Sequence, residues 1–250
     1  MSKMEMVYGI HAVTSLLSHH GESVAQLFLQ ADRKDKKDKR FQEILDSARR
    51  AGIPIIECSR AELDEKCTEV HQGVLALSRP SIQEKHEKDL DALLENLSHP
   101  PFLLVLDGVT DPHNLGACLR SAEAAGVDAV IVTKDKSAQL SPTVRKVACG
   151  AAETVPFISV TNLVRTLQSL QQRGIWTFGA AGEAAQSVYQ ADLKGPLALV
   201  LGSEGKGLRR LTRENCDTLI AIPMAGEVSS LNVSVSTGIC LFEAVRQRIA

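Results

Sequence analysis

The stretch FLLVLDGVTDPHNLGACLRSAEAAGVDAVIVTK, residues 102–134, decides the fold. Its first eight residues are a continuous apolar run, the pattern of a parallel strand covered on both faces. A helix follows over 115–125, and DAVIVTK (128–134) reads as a second strand. The same alternation continues toward the C-terminus. TVRKVACGAAETVPFISV (143–160) predicts a helix and then a strand at 155–160, and NLVRTLQSLQQRG (162–174) a helix closed by Gly174. IWTFGAAG (175–182), GPLALVLGSEG (195–205) and LIAIPMAG (219–226) read as strands, and 233–248 as a last helix. Such alternation predicts a parallel sheet with helices on both faces.

Toward the N-terminus the pattern changes. In MVYGIHAVTSLLSHH (6–20), Ile10, Val13, Leu16 and Leu17 have helical spacing. VAQLFLQ (24–30), IPIIEC (53–58) and HQGVLALS (71–78) read as strands, and Phe41, Ile44, Leu45 and Ala48 mark a helix before Gly52. This is a smaller α/β unit. The polar stretch 79–101 starts with Arg79-Pro80 and ends in Pro100-Pro101, with a short helix around Leu90, Leu93, Leu94 and Leu97. The expected organisation is a first domain over 1–79, a linker over 80–99 and a second domain over 100–250.

Composition narrows the function classes. With 44% apolar and 23% charged residues in 250, the chain is globular and large enough for a real core. No apolar run reaches the roughly 18–20 residues of a membrane helix, so no membrane partner is expected. The start, MSKMEMVYGIHAV, lacks the apolar region of a signal peptide, so the expected compartment is the cytoplasm. The six cysteines (Cys58, Cys67, Cys118, Cys149, Cys216, Cys240) form no CxxC pair, and no Cys/His spacing suits zinc, so no metal is expected. The net charge of −2 gives nucleic-acid binding no global support; a local candidate is the run 31–40, with six cations and three acids, including Arg33, Lys34, Lys36 and Lys37. Such a mixed run is also what a solvated loop looks like.

Ligands of open parallel sheets bind beyond the carboxyl ends of strands, which selects three loops. In GSEGKG, Gly202, Gly205 and Gly207 permit close backbone approach to a ligand, or simply a tight turn; the loop fits neither the phosphate-loop nor the dinucleotide pattern. Glu204 suits a ligand hydrogen bond or a helix start. In the last loop, Ser229, Ser230 and Asn232 suit a helix N-cap, or a polar shelf for a sugar or nucleotide hydroxyl. In the first, Asp111 and Pro112 fit a turn, Asn114 a helix cap, and His113 a general base or a solvent-facing side chain. Arg120 suits a surface pair with Glu123 or a phosphate clamp.

Taken together and in order, DGVTDPHNLGACLRSAEAAGVDAVI (107–131), LVLGSEGKGLRR (199–210) and IPMAGEVSSLNVSVSTGICLFEAVRQR (222–248) resemble the three motifs of the SpoU (TrmH-like) RNA ribose methyltransferases. VYGIHAV and HQGVLAL resemble the substrate-binding domain found in some members, so the likeness spans nearly the whole chain. The resemblance implies an α/β protein of the SPOUT class, with a C-terminal trefoil-knotted parallel-sheet methyltransferase domain and a smaller N-terminal L30e-like α/β domain that binds RNA. It implies S-adenosylmethionine as methyl donor, held by Gly202, Glu204, Ile222, Met224 and Leu231. It implies a reaction site of Asn114, Arg120, Ser230 and Asn232, close to the interface of a homodimer. Because a guanidinium is effectively always protonated, Arg120 is better suited to stabilise an incipient alkoxide or bind a phosphate than to act as base. The implied activity is methylation of a guanosine 2′-hydroxyl in the peptidyl-transferase region of 23S ribosomal RNA or its precursor. A transfer RNA methyltransferase and a non-catalytic RNA-binding or ribosome-assembly factor are the alternatives.

Overall fold

The computed structural model describes residues 4–31, 39–79 and 85–249. Arg33, Lys34, Lys36 and Lys37 lie outside the described residues. The chain begins with β1 (Glu5–Tyr8), α1 (Ile10–His20), β2 (Val24–Gln30), α2 (Lys39–Arg50), β3 (Ile55–Cys58), α3 (Arg60–Lys66) and β4 (Val74–Ser78). It continues through α4 (Glu87–Asn96), β5 (Phe102–Asp107), α5 (Pro112–Ala124), β6 (Ala129–Thr133), α6 (Pro142–Ala148), α7 (Ala151–Thr154) and β7 (Phe157–Val160). Last come α8 (Leu163–Gln172), β8 (Trp176–Ala180), β9 (Gln186–Ser187), β10 (Leu197–Gly202), α9 (Arg210–Glu214), β11 (Thr218–Ala221) and α10 (Val233–Ile249). Packing divides the chain into two units, Met1–Gln83 with Leu140–Thr154, and Glu84–Gln139 with Val155–Ala250. Among the described residues no helix is long and apolar enough to cross a membrane.

The first unit is built on a sheet of order β1-β4-β2-β3, with β4 antiparallel to β1 and β2, and β3 parallel to β2. Strand alternation sends Val7, Leu27, Leu29, Val74 and Ala76 to one face, where they meet Val13 and Leu16 of α1 and Phe41, Ile44 and Leu45 of α2. The alternate residues Tyr8, Phe28 and Leu75 meet Leu63 of α3 on the other face. α3 starts in a capping box: the Ser59 backbone donates to Glu62 Oε2 at 2.7 Å and the Glu62 backbone to Ser59 Oγ at 3.3 Å.

Leu140–Thr154 packs with this first unit, although the sequence pattern places it amid the strand–helix alternation of the second. It forms two short helices instead of the single expected one. Cys149 and Gly150, both left-handed at φ 53° and 101°, break it. Gly150 lies so close to α1 that a Cβ there would sit 2.7 Å from Ser15 Cβ. Arg145, 4% exposed, sits between Glu5 at 3.2 Å and Glu153 at 3.1 Å.

The second unit is a parallel sheet of order β7-β6-β5-β10-β8-β11-β9 among the described residues. All six residues of β5 are buried, which is why the first five, Phe102–Leu106, are apolar without alternation; the sixth is Asp107. The chain leaves β5 toward β6 and β7, returns to build β8 on the other side, and inserts β10 between β5 and β8. Such a reversal opens a crevice at the carboxyl ends of the strands flanking it. β5 and β10 run in register up to Asp107 opposite Gly202, so their following loops emerge side by side. α5 begins earlier than its apolar pattern predicts. Asp111 is the N-cap, accepting from His113 N at 2.7 Å, and Pro112 fills the first turn. Asn114 is therefore inside the helix, not its cap.

Candidate active site

The three loops beyond β5, β10 and β11 meet through one side chain. Asn232 Oδ1 accepts the Ser234 backbone N–H at 2.9 Å and the Ser234 hydroxyl at 2.6 Å, which caps α10. Its Nδ2 donates to Asn114 Oδ1 at 3.0 Å and to a carboxylate oxygen of Glu204. The cap and the polar shelf are thus one arrangement. Asn114 is 9% exposed, so its amide depends on this partner for satisfaction.

The loop after β10 folds back on its own strand. A Cβ on Gly202 would lie 2.0 Å from the carbonyl carbon of Gly207. Gly207 N donates to Ser203 O at 2.9 Å, and Gly205 and Gly207 hold left-handed φ of 74° and 62°. This turn walls a cavity of about 510 Å³ whose lining includes Gly202, Glu204, Ile222, Met224, Ser230 and Leu231. All five residues expected to hold the donor are among them. Ala180, the last residue of β8, and Ala181 and Gly182 just beyond it complete a wall with little side-chain bulk. The volume lies within the roughly 300–1,000 Å³ of small-molecule sites. Ile222, Leu231 and Met224 offer apolar surface for a purine, the loop 202–207 offers backbone groups, and Glu204 offers an anion to a sulfonium. S-adenosylmethionine fits these residues in chemistry and size.

A second cavity of about 770 Å³ shares Ser203, Glu204, Lys206, Gly207, Leu208 and Val233 with the first and extends past Gly108, Asp111, Asn114, Lys136 and Arg209. Sequence reasoning missed its cationic side. Arg209 follows a glycine-rich turn, a weak signal, while the position of Lys136 rests on a left-handed φ of 58° that no local pattern announces. Arg120 and His113 are exposed on α5 and line neither cavity. Cys118 of α5 and Cys240 of α10 are buried, and burial pushes their thiols up to about 11 and about 12. Neither is a thiolate nucleophile at neutral pH. Among the described residues no three His, Cys, Asp or Glu side chains are grouped to hold a metal ion.

Comparison with known proteins gives a consistent likeness. Residues 101–242 match the SpoU rRNA Methylase family, and residues 6–84 match the family described as RNA 2'-O ribose methyltransferase substrate binding. The 23S rRNA (guanosine-2'-O-)-methyltransferase RlmB of Pseudomonas putida is 58% identical over 248 residues, covering 99% of this chain and 98% of that protein. Its namesake in Escherichia coli is 58% identical over 245 residues, covering 98% of this chain and 99% of that one. Among solved structures, the SpoU methyltransferase AviRb from Streptomyces viridochromogenes, in complex with AdoMet, superposes with a TM-score of 0.79 at 26% identity, over 98% of this chain and 90% of that chain.

Proposed function

The chain belongs to the SpoU rRNA methylase family, and from that premise we propose that it methylates a guanosine ribose 2′-hydroxyl in 23S ribosomal RNA with S-adenosylmethionine as donor. The observation that carries this reading is the pair of cavities sharing one wall: the five donor-holding positions line one, and the wall carries Glu204 beside Asn232 and Asn114. The donor supplies an electrophilic methyl on a sulfonium, the sulfur leaves as a neutral thioether, and the hydroxyl proton must leave as the C–O bond forms. The chain's own residues do the rest by position. Ile222, Met224 and Leu231 hold the adenosine, the turn after Gly202 excludes water, and Asn232, locked by Asn114 and by its capping bonds, orients the ribose with Ser230 at the rim. Arg120 offers a fixed positive charge for the incipient alkoxide or the neighbouring phosphate.

The finer features belong to the same proposal. Residues 1–79, with Arg33, Lys34, Lys36 and Lys37, hold the RNA, and 100–250 carry out the transfer. The enzyme is a cytoplasmic homodimer whose site is completed near the subunit interface. In support, α10 exposes Val235, Phe242 and Ile249 at intervals of seven, an apolar stripe suited to a second copy of the chain. Arg120 lines neither cavity of one chain, which is in keeping with a site completed by a second copy. The test is transfer of labelled methyl to 23S ribosomal RNA and to transfer RNA side by side. Recovery of 2′-O-methylguanosine from the ribosomal RNA is expected. Transfer only to transfer RNA, or none from folded protein with competent RNA, overturns the proposal.

A further inference from the structure

The second cavity holds a device that neither motif nor likeness assigns. Asp107 ends β5 with its side chain fully buried. Its Oδ2 accepts the Arg209 backbone N–H at 2.8 Å, and its Oδ1 faces Arg209 Nε at 3.4 Å as an ion pair, with no hydrogen-bond partner of its own. One carboxylate thus grips both ends of Arg209. The guanidinium lies over Gly108, where a Cβ would come within 3.0 Å of Nη2, so the arginine occupies the space that a side chain at 108 would need. A buried carboxylate is costly unless it is paired and hydrogen-bonded, and Arg209 supplies both the counter-charge and the one hydrogen bond. The carboxylate in turn aims a 45%-exposed guanidinium at the cavity beside the donor pocket.

Two more cations enter the same cavity, Lys136 from the loop after β6 and Lys206 from the same loop as Arg209. Lys136 is placed by its left-handed backbone, a conformation that residues other than glycine, asparagine and aspartate adopt at a cost. Lys206 stands between the left-handed Gly205 and Gly207. The facing acids are already engaged, Asp111 as the cap of α5 and Glu204 with Asn232, while Arg210 is paired with Glu214 at 2.9 Å.

We propose that Lys136, Lys206 and Arg209 form a phosphodiester site for the substrate strand, with Asp107 as the positioning residue of Arg209. The step rests on the reading that the chain methylates RNA. A ribose that presents its 2′-oxygen at the Glu204–Asn232 wall carries a phosphodiester on the adjacent 3′-carbon. The cationic cavity begins at that wall. Fixing the phosphate fixes the attack angle of the oxygen, and a guanidinium fork matches phosphate oxygens as a bidentate partner.

The experiment measures binding of a 23S ribosomal RNA fragment to the full-length protein across a salt series, for wild type, Arg209→Gln, Lys136→Ala and Asp107→Asn. The RNA carries either a natural or a neutral methylphosphonate linkage 3′ to the target ribose. Arg209→Gln is expected to weaken binding about tenfold and to reduce the log–log salt slope by about 0.7–1, one lost phosphate contact. S-adenosylmethionine binding should be unchanged. The neutral linkage should cost the wild type as much as Arg209→Gln does and cost that variant nothing more, and Asp107→Asn should add no loss in the Arg209→Gln background. Unchanged slope and affinity in both Arg209→Gln and Lys136→Ala, or independent effects of the linkage and Arg209→Gln, overturn the proposal. Equal losses with inorganic phosphate but not with the linkage change would assign the site to free phosphate and also overturn it. Wild-type methyl transfer to the natural RNA, measured alongside, tests the enzymatic reading separately.

Discussion

Replacing Gly202 with alanine tests the donor pocket at its tightest point. The added Cβ would meet the carbonyl carbon of Gly207 at 2.0 Å, its oxygen at 2.2 Å and the Leu208 nitrogen at 2.2 Å. Carbon atoms in contact sit near 3.5–4.0 Å, so the turn must retreat by roughly 1.5 Å. All three atoms are backbone, so no side chain can swing aside. Gly202 does not have a positive φ, so the effect is steric rather than conformational. Overpacking of this kind costs about 1–3 kcal/mol. For a chain of this size that lowers Tm by roughly 3–10 °C. The functional loss should be larger, because the displaced turn is the wall of the cavity: a misplacement of about 1 Å costs on the order of a hundredfold. Methyl transfer should fall by about that factor, and calorimetric titration with S-adenosylmethionine should show weakened binding, with the melting curve still cooperative. Gly205→Ala is the control, since nothing lies within 4 Å of its Cβ. It carries only the left-handed penalty of about 1–2 kcal/mol. Donor binding at wild-type strength by Gly202→Ala would show that the turn is not seated on Gly202, and the account of the pocket would fail.

Other consequences are as direct. Phe242→Glu puts a charge in the exposed stripe of α10 and should convert the proposed dimer to a monomer in light scattering, with the fold intact by circular dichroism; an unchanged mass refutes an interface on this stripe. The Glu243 carboxyl is held down to about 2 by hydrogen bonds from Arg246 first and Gln247 second. Because the folded value lies below the unfolded one, its stabilisation is full above about pH 4.5 and is lost as pH falls toward 2. Arg246→Ala should therefore shift the acid-unfolding midpoint upward in a circular-dichroism pH titration, and coincident profiles would refute the assignment. Burial raises the thiols of Cys118, Cys216 and Cys240 to about 11, 12 and 12. At pH 8 they are roughly 1 in 1,000 to 1 in 10,000 thiolate, against about one in four for a free thiol. Mass spectrometry should find them alkylated only after unfolding.

Much of the catalytic unit can be read from its residues because each strand is covered on both faces. Burial forces β5, β6 and β10 into uninterrupted apolar runs, and the order of those runs predicts the sheet. The start of α5 was harder, since Asp111-Pro112 serves equally as a turn and as an N-cap with proline in the first turn. Leu140–Thr154 was harder still. An amphipathic pattern says that a face is buried, not against what, and the partners of Arg145 at Glu5 and Glu153 include one that is 140 positions away. In the site, the residues expected to hold the donor sit in contiguous motifs and so are legible together. Lys136 and Asp107 are not, because one depends on a backbone conformation and the other on a contact between residues 102 positions apart.

The arrangement at Asn232 shows why structural and functional readings of a polar loop residue need not compete. A side-chain amide has one carbonyl and one NH2 face. Here the carbonyl is used up in capping α10, which fixes the amide plane, and the NH2 face must then point toward Asn114 and Glu204. The cap is what orients the amide that holds Glu204, which lines both cavities, and Asn114, which lines the second. An aspartate would cap as well, but it would set a second carboxylate against Glu204 and offer no donor to Asn114. Serine would cap without reaching across. Only an asparagine meets both demands from one position, and Asn114, buried within α5, supplies an acceptor at a fixed height above β5. The joint between donor wall and substrate wall is therefore set by helix termini and strand ends rather than by flexible loop, which is how a turn rich in glycine can still hold reacting groups in register.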